Sequence, residues 1–137
     1  MADVYTKAKR SELMSRIRSR DTRPERLVRS VLHTLGYRFR LHRADLPGKP
    51  DIVLPRYAAV IFVHGCFWHR HAGCSDAVLP SSNRLFWSKK LNGNRRRDRL
   101  SEQKLRDDGW RVAILWECAT RHAERHPRAL KRLAEWI

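Results

Sequence analysis

Four residues of this 137-residue chain form a set that metal chemistry would use. Cys66-x4-His71-x2-Cys74 puts two sulfurs and an imidazole on one stretch, and Cys118 directly follows a predicted strand. Three sulfurs with one imidazole are the ligand set of a structural zinc, in which four filled positions leave no opening for water. Buried free cysteines are the ordinary alternative, since thiols are common in cores. Two of these thiols lie in a polar, His-rich stretch, which favours the metal. The imidazole is open at this point, with His64, His69 and His122 competing with His71.

A second group combines carboxylates and histidines. Asp51 opens a predicted strand after the turn Leu46-Pro47-Gly48-Lys49-Pro50. A carboxylate there can leave the sheet towards a metal, although Asp that merely ends a turn is ordinary. The next strand runs out through Val63-His64-Gly65-Cys66-Phe67-Trp68-His69, and consecutive strands tend to pair, which brings His64 and His69 towards Asp51. A neutral imidazole can take a proton from water or give one to a leaving oxygen near neutral pH. Asp98, within Arg95-Arg96-Arg97-Asp98-Arg99, joins this group or serves as a salt-bridge partner on a solvated face. Glu25 has a sufficient structural role as the acid of a capping box. Phe67 and Trp68 read either as core or as an exposed wedge, and their place in a loop favours exposure.

The elements that position these residues follow from periodicity and punctuation. Residues 1–10 are polar and basic and read as an arm, and Ser11–Arg18 can form a short helix. Thr22 can cap a helix that carries Pro24 and Glu25 in its first turn, aligns Leu27, Val28, Val31, Leu32 and Leu35, and stops at Gly36. Tyr37–Leu41 alternates as a half-exposed strand, Asp51–Leu54 is a second strand, and Ala58–Val63 is a buried central one. Residues 64–83 form a long loop, a length that points to function or a staple. Residues 84–108 are helical with a break expected at Asn92-Gly93-Asn94 and a stop at Gly109, Trp110–Trp116 is a strand, and Pro127–Trp136 is a helix. Trp87 and Trp110 read as core. The order predicts an α/β domain around a small mixed sheet flanked by helices.

Composition narrows the partners. Thirty Lys and Arg against fourteen Asp and Glu give +16 and a pI near 11.1, which calls for a polyanion. Phosphate contacts fall to Lys7, Lys9, Arg10, Arg16, Arg18, Arg20 and the Lys89–Arg99 region. Apolar residues at 42% exclude wholesale disorder, and the length fits one domain over 1–137. The longest apolar run, Tyr57–Val63, is too short for a bilayer, and the start lacks a secretory pattern, so a compact intracellular domain is expected.

Taken in order, Thr22-Arg23-Pro24-Glu25, Pro47-Gly48-Lys49-Pro50-Asp51, Val63 to His69, Asn94 to Asp98 and Gly109 to Cys118 resemble the very-short-patch mismatch repair endonucleases (Vsr). The resemblance spans nearly the whole chain. It implies a restriction-endonuclease-like core with a structural zinc, and an enzyme that nicks DNA 5′ of the thymine in a T:G mismatch left by deamination of 5-methylcytosine. It makes Asp51 and the Val63 carbonyl ligands of two catalytic Mg²⁺ ions and His69 the group that activates water, with Glu25, His64 and Asp98 as its supporting network. Cys66, His71, Cys74 and Cys118 become the zinc ligands, and Phe67, Trp68 and, from the other groove, Met14 the wedge beside the mismatch. It further implies a bacterial cytoplasmic setting and a functional link to a cytosine-5 methyltransferase and mismatch-repair proteins; nothing in the sequence demands more than a monomer. Position 63 is Val where the pattern leads us to expect Thr, which a carbonyl ligand tolerates. The runner-up reading is a zinc-stabilised module that binds DNA without cutting it. An RNA-binding or ribosomal protein would explain the charge but give Asp51, His64 and His69 no shared task.

Overall fold

The computed structural model describes residues 22–121 and 128–137. The predicted arm, the short helix with Met14, and His122 lie outside the described residues. Helix α1 spans Arg23–Thr34, with Thr22 as its cap: the Glu25 N–H donates to Thr22 Oγ1 at 3.4 Å. Val28 and Leu32 are buried on the predicted face, whereas Leu35, already past the last turn, is exposed. Gly36 follows at φ +87°, and the Tyr37 N–H closes the helix on the Leu32 carbonyl.

The sheet has the order β1 (Arg40–Leu41), β2 (Ile52–Leu54), β3 (Ala59–His64), β4 (Arg111–Trp116). Strands β1, β2 and β3 pair antiparallel, and β3 and β4 pair parallel from Ala59 opposite Arg111 to His64 opposite Trp116. The predicted first strand is much shorter than its alternation suggested. Tyr37 and Phe39 do turn inward against the core, but only Arg40 and Leu41 pair.

Alternation along β2 and β3 divides the interior. Ile52, Leu54, Ala59 and Ile61 pack against α1 and the last helix, α4 (Arg128–Trp136), while Val53, Val60 and Phe62 pack against Leu105 of helix α2 (Arg84–Asp107). Helix α2 runs unbroken over Arg84–Asp107, contrary to the expected break at 92–94. Glycine inside a helix costs about 1 kcal/mol, and here the neighbouring side chains offset it. Asn92 Oδ1 accepts from Arg70 at 2.7 Å and Asn94 Nδ2 donates to the Trp68 carbonyl at 3.1 Å, so both asparagines tie the helix to the long loop. The helix stops at Gly109, φ +92°, as its position predicted. A short helix α3, Glu117–Thr120, directly after β4, was not foreseen. No helix among the described residues is long and apolar enough to cross a membrane.

Arg111 latches the C-terminus to the sheet. Its guanidinium donates to the carbonyls of Trp136 (2.9 Å), Ile137 (3.0 Å) and Tyr57 (3.3 Å) and lies 4.7 Å over the Trp136 ring. Exposure discounts each contact, so Arg111→Ala is expected to lose about 1 kcal/mol and a few degrees of Tm by calorimetry. An unchanged Tm would mean that α4 docks through its apolar face, Leu130, Leu133 and Trp136, without the Arg111 contacts.

Candidate functional site

The end of β3, the segment between β1 and β2, the loop after β3 and α2 enclose a cleft of about 660 Å³ whose lining includes Asp51, Val63, His64, His69, Asp98 and His42. Asp51 sits immediately before β2, where the antiparallel pairing sets it beside the end of β3. Its Oδ2 accepts the Val63 N–H at 2.7 Å. Burial, with the Glu25 carboxylate nearby, pushes the Asp51 carboxyl up to about 7, against the pull of the Val63 N–H and His69. Glu25 is itself buried on α1, its Oε2 3.0 Å from Arg29 Nη2 and 3.5 Å from His42 Nε2.

His64 ends β3 inside the protein, and its ring stacks on that of His69 at 3.8 Å and 2°. Its Nδ1 is buried with no hydrogen-bond partner among the described residues. Burial first, and then the neighbouring His69, push its pKa down to about 4, so it stays neutral at physiological pH. His69 holds Asp98 Oδ2 with Nδ1 at 2.6 Å. That contact makes Nδ1 the protonated nitrogen and leaves Nε2 basic, the arrangement in which an imidazole can take a proton from water. Asp98 therefore faces His69 rather than serving only the arginines that flank it on α2.

The second cluster lies behind the first. Ligand atoms of Cys66, His71, Cys74 and Cys118 all fall within 4.8 Å of one another. Cys66 leaves the end of β3, His71 and Cys74 follow on the loop, and Cys118 enters from α3. The Cys118 N–H donates to Cys66 Sγ at 3.4 Å, and Cys118 Sγ lies 3.5 Å from His71 Nδ1. Burial, with the other two thiols close by, pushes the Cys66 thiol up to about 12. His71 therefore stands with the sulfurs, while its competitors His64 and His69 stand with Asp98. Trp116 joins the two clusters, stacked on His71 at 4.1 Å and edge-on to His64 at 5.3 Å.

Phe67 and Trp68 are half-buried, neither core nor fully exposed. Each meets Trp87 edge-to-face, at 5.5 and 5.9 Å, and Phe86 meets Trp87 at 5.2 Å. Trp87 thus belongs to this aromatic ridge rather than to the core, while Trp110 packs beside Leu105 as expected. Phe86, exposed at the start of α2, extends the ridge.

His42 escaped the sequence reading altogether. Continued alternation would send it outward with Arg38 and Arg40, yet it turns in between Glu25 and Asp51 because its backbone is left-handed at φ +47°. Only its residue type, a histidine one place beyond a strand, offered any signal.

The comparisons with known proteins bear on the whole chain. Residues 2–75 match the family described as DNA mismatch endonuclease Vsr. The chain is 54% identical over 118 residues to the type II nicking enzyme V.XorIIP of Xanthomonas oryzae, covering 86% of each protein. It is 45% identical to the DNA mismatch endonuclease Vsr of Escherichia coli K12, over all of this chain and 88% of that one. A third relative, the type II nicking enzyme V.NmeAIP of Neisseria meningitidis, is 41% identical over all of this chain and 97% of its own. With the motifs matched in order and identity sustained from end to end, the chain belongs to the Vsr DNA mismatch endonuclease family.

Proposed function

We propose that this chain nicks one strand of duplex DNA on the 5′ side of the thymine in a T:G mismatch left by deamination of 5-methylcytosine, and so initiates very-short-patch repair. The observation that carries the reading is the convergence of Asp51, His64, His69 and Asp98 on one cleft of a Vsr-family chain. The described mixed sheet and its helices are the core of a restriction-endonuclease-like fold in this reading, and the chain acts as a monomer in the bacterial cytoplasm.

The donor set suits a hard divalent cation. Asp51 and the Val63 carbonyl supply oxygens, and the crowding of Asp51 by Glu25 is a concentration of negative charge that a cation relieves. These residues would hold Mg²⁺, two ions in the full site, which would supply the positive charge that stabilises an in-line displacement at the phosphate. The chain's own groups do the rest. His69 takes the proton of the attacking water at Nε2, and Asp98 orients the ring and stabilises the imidazolium that forms. His64, stacked and neutral, adds no opposing charge when His69 becomes protonated. Glu25 orients Asp51 and would orient the water that a bound cation carries.

Recognition falls to the aromatic ridge and the basic surface. Phe67 and Trp68, backed by Trp87, enter the duplex beside the mismatch, with Met14 approaching from the other groove. A T:G wobble is easier to unstack than a matched pair, so the wedge meets less resistance there. Zn²⁺ on Cys66, His71, Cys74 and Cys118 holds the loop that carries the wedge and His69. A link to a cytosine-5 methyltransferase and to mismatch-repair proteins follows from the lesion.

The test is an end-labelled duplex carrying T:G in place of a methylated C:G, incubated with Mg²⁺ or EDTA beside a matched control. A Mg²⁺-dependent nick 5′ of the mismatched T, absent from the matched duplex, is the expected result. Tight T:G binding with intact DNA in every flanking sequence would favour the non-cutting zinc module instead.

A further inference from the structure

The roles assigned above leave His42 unused. Its Nδ1 lies 4.0 Å from Asp51 Oδ1 and its Nε2 3.5 Å from Glu25 Oε2, and the three side chains bring one nitrogen and two oxygen donors within 4.8 Å of one another. Arg29 Nη2 donates to Glu25 Oε2 at 3.0 Å and lies 3.3 Å from His42 Nε2. A cation at Nδ1 requires the ring tautomer with its proton on Nε2, which Glu25 Oε2 at 3.5 Å then accepts while Arg29 donates to Glu25 rather than to the ring. The Nδ1 side faces Asp51. A separation of 4.0 Å is too long for a hydrogen bond, but one ion with bonds of about 2.1 Å to each donor spans it.

The backbone supports this placement. His42 adopts φ +47°, uncommon for any residue but glycine, and its N–H is pinned to the Asp51 carbonyl at 3.2 Å. Such conformations persist where the surroundings over-determine them, often at functional sites. Here the left-handed turn aims an imidazole at Asp51 that a continued strand would have pointed away from it.

We propose that His42 Nδ1 is a further protein donor to the metal centre at Asp51, giving that centre a preference for first-row divalent transition ions over Mg²⁺. The inference rests on the reading of Asp51 as a metal ligand. Imidazole suits transition ions, whereas Mg²⁺ favours oxygen and gives up its water reluctantly. The remaining oxygens keep Mg²⁺ usable, so the nitrogen changes the order of preference rather than excluding it.

The test uses the full-length, zinc-loaded protein without DNA, titrated with Mn²⁺ and followed by electron paramagnetic resonance, with Mg²⁺ as competitor. Pulsed measurements on bound Mn²⁺ report directly coupled nitrogen, and ¹⁵N-histidine labelling of the unaltered chain identifies it as imidazole. Wild type is expected to show that coupling, and His42→Gln to lose it. Even an outer partner of a metal ligand is worth about 10- to 100-fold in affinity, so His42→Gln should raise the Mn²⁺ Kd at least about tenfold and move the Mg²⁺ Kd far less. No histidine coupling in the labelled wild type would overturn the proposal, and so would a His42→Gln protein with unaltered coupling and affinity. If Asp51→Asn abolishes Mn²⁺ binding in that second case, only the role of His42 falls. Undiminished Mn²⁺ binding by Asp51→Asn would instead remove the metal reading of Asp51 and this proposal with it.

Discussion

Asp51→Asn is expected to lower the rate of T:G nicking by at least about a thousandfold, since a metal clamp on developing phosphate charge is worth several kcal/mol. Binding of the mismatched duplex, which draws on the basic surface and the aromatic ridge, should persist. The same substitution is expected to stabilise the fold in Mg²⁺-free buffer. The sign follows from the carboxyl being held up at about 7, by burial and by Glu25, against an ordinary value of 3.8. Between those values the folded state binds more protons than the unfolded one, so the contribution of Asp51 to stability falls as pH rises from about 4 to 7 and stays lost above. His64 acts in the opposite direction. Held down near 4 against an ordinary 6.5, it disfavours the fold as pH falls through that window. The difference between wild type and Asp51→Asn isolates the first effect: a Tm gain small at pH 4 and larger at pH 8. An active site that trades stability for charge placement behaves in this way. A variant that nicks normally would remove Asp51 from the chemistry, and one with no pH-dependent gain would mean that neither burial nor Glu25 opposes its ionisation.

Much of this arrangement was legible in the chain, and the failures share a cause. The cap at Thr22, the stops at Gly36 and Gly109 and the buried run of β3 are local properties, set by residue type and periodicity. The approach of His64 and His69 to Asp51 needed only the tendency of consecutive strands to pair. The misses occur where a tertiary contact overrides a local rule. Asn92 and Asn94 read as helix breakers, but each holds the loop, and that keeps α2 continuous. Trp87 reads as core because aromatic residues usually are, yet its partners are loop residues, Phe67 and Trp68. His42 was hidden by the alternation before it, because a single left-handed residue reverses the face on which a side chain emerges. Such a reversal has no periodicity of its own.

Removal of zinc is expected to have the largest effect on the fold and to stop nicking as well. Between residues 65 and 83 only Cys66 is buried, so the loop has almost no apolar core of its own to hold it. Structural zinc in finger peptides is worth about 10–16 kcal/mol at neutral pH, comparable to or above the whole stability of a typical domain. The sulfurs require that compensation, because burial among the other thiols pushes Cys66 up to about 12 and keeps it protonated without a cation. Zinc binding must therefore release protons, and affinity should fall steeply as pH is lowered. The damage would not stay local. His71 stacks on Trp116, Trp116 packs edge-on to His64, and His64 stacks on His69, so a continuous row of rings joins the proposed zinc ligands to the proposed base. Cys118→Ser severs the set at its most distant ligand in sequence without touching the cleft. That protein is expected to lose zinc by elemental analysis, to melt well below wild type, and to nick at least about a hundredfold more slowly, the usual worth of a positioned base. Zinc-free protein with wild-type Tm and nicking would show that the loop and His69 are held without the metal, by the contacts to Asn92, Asn94, Asp98 and Trp87.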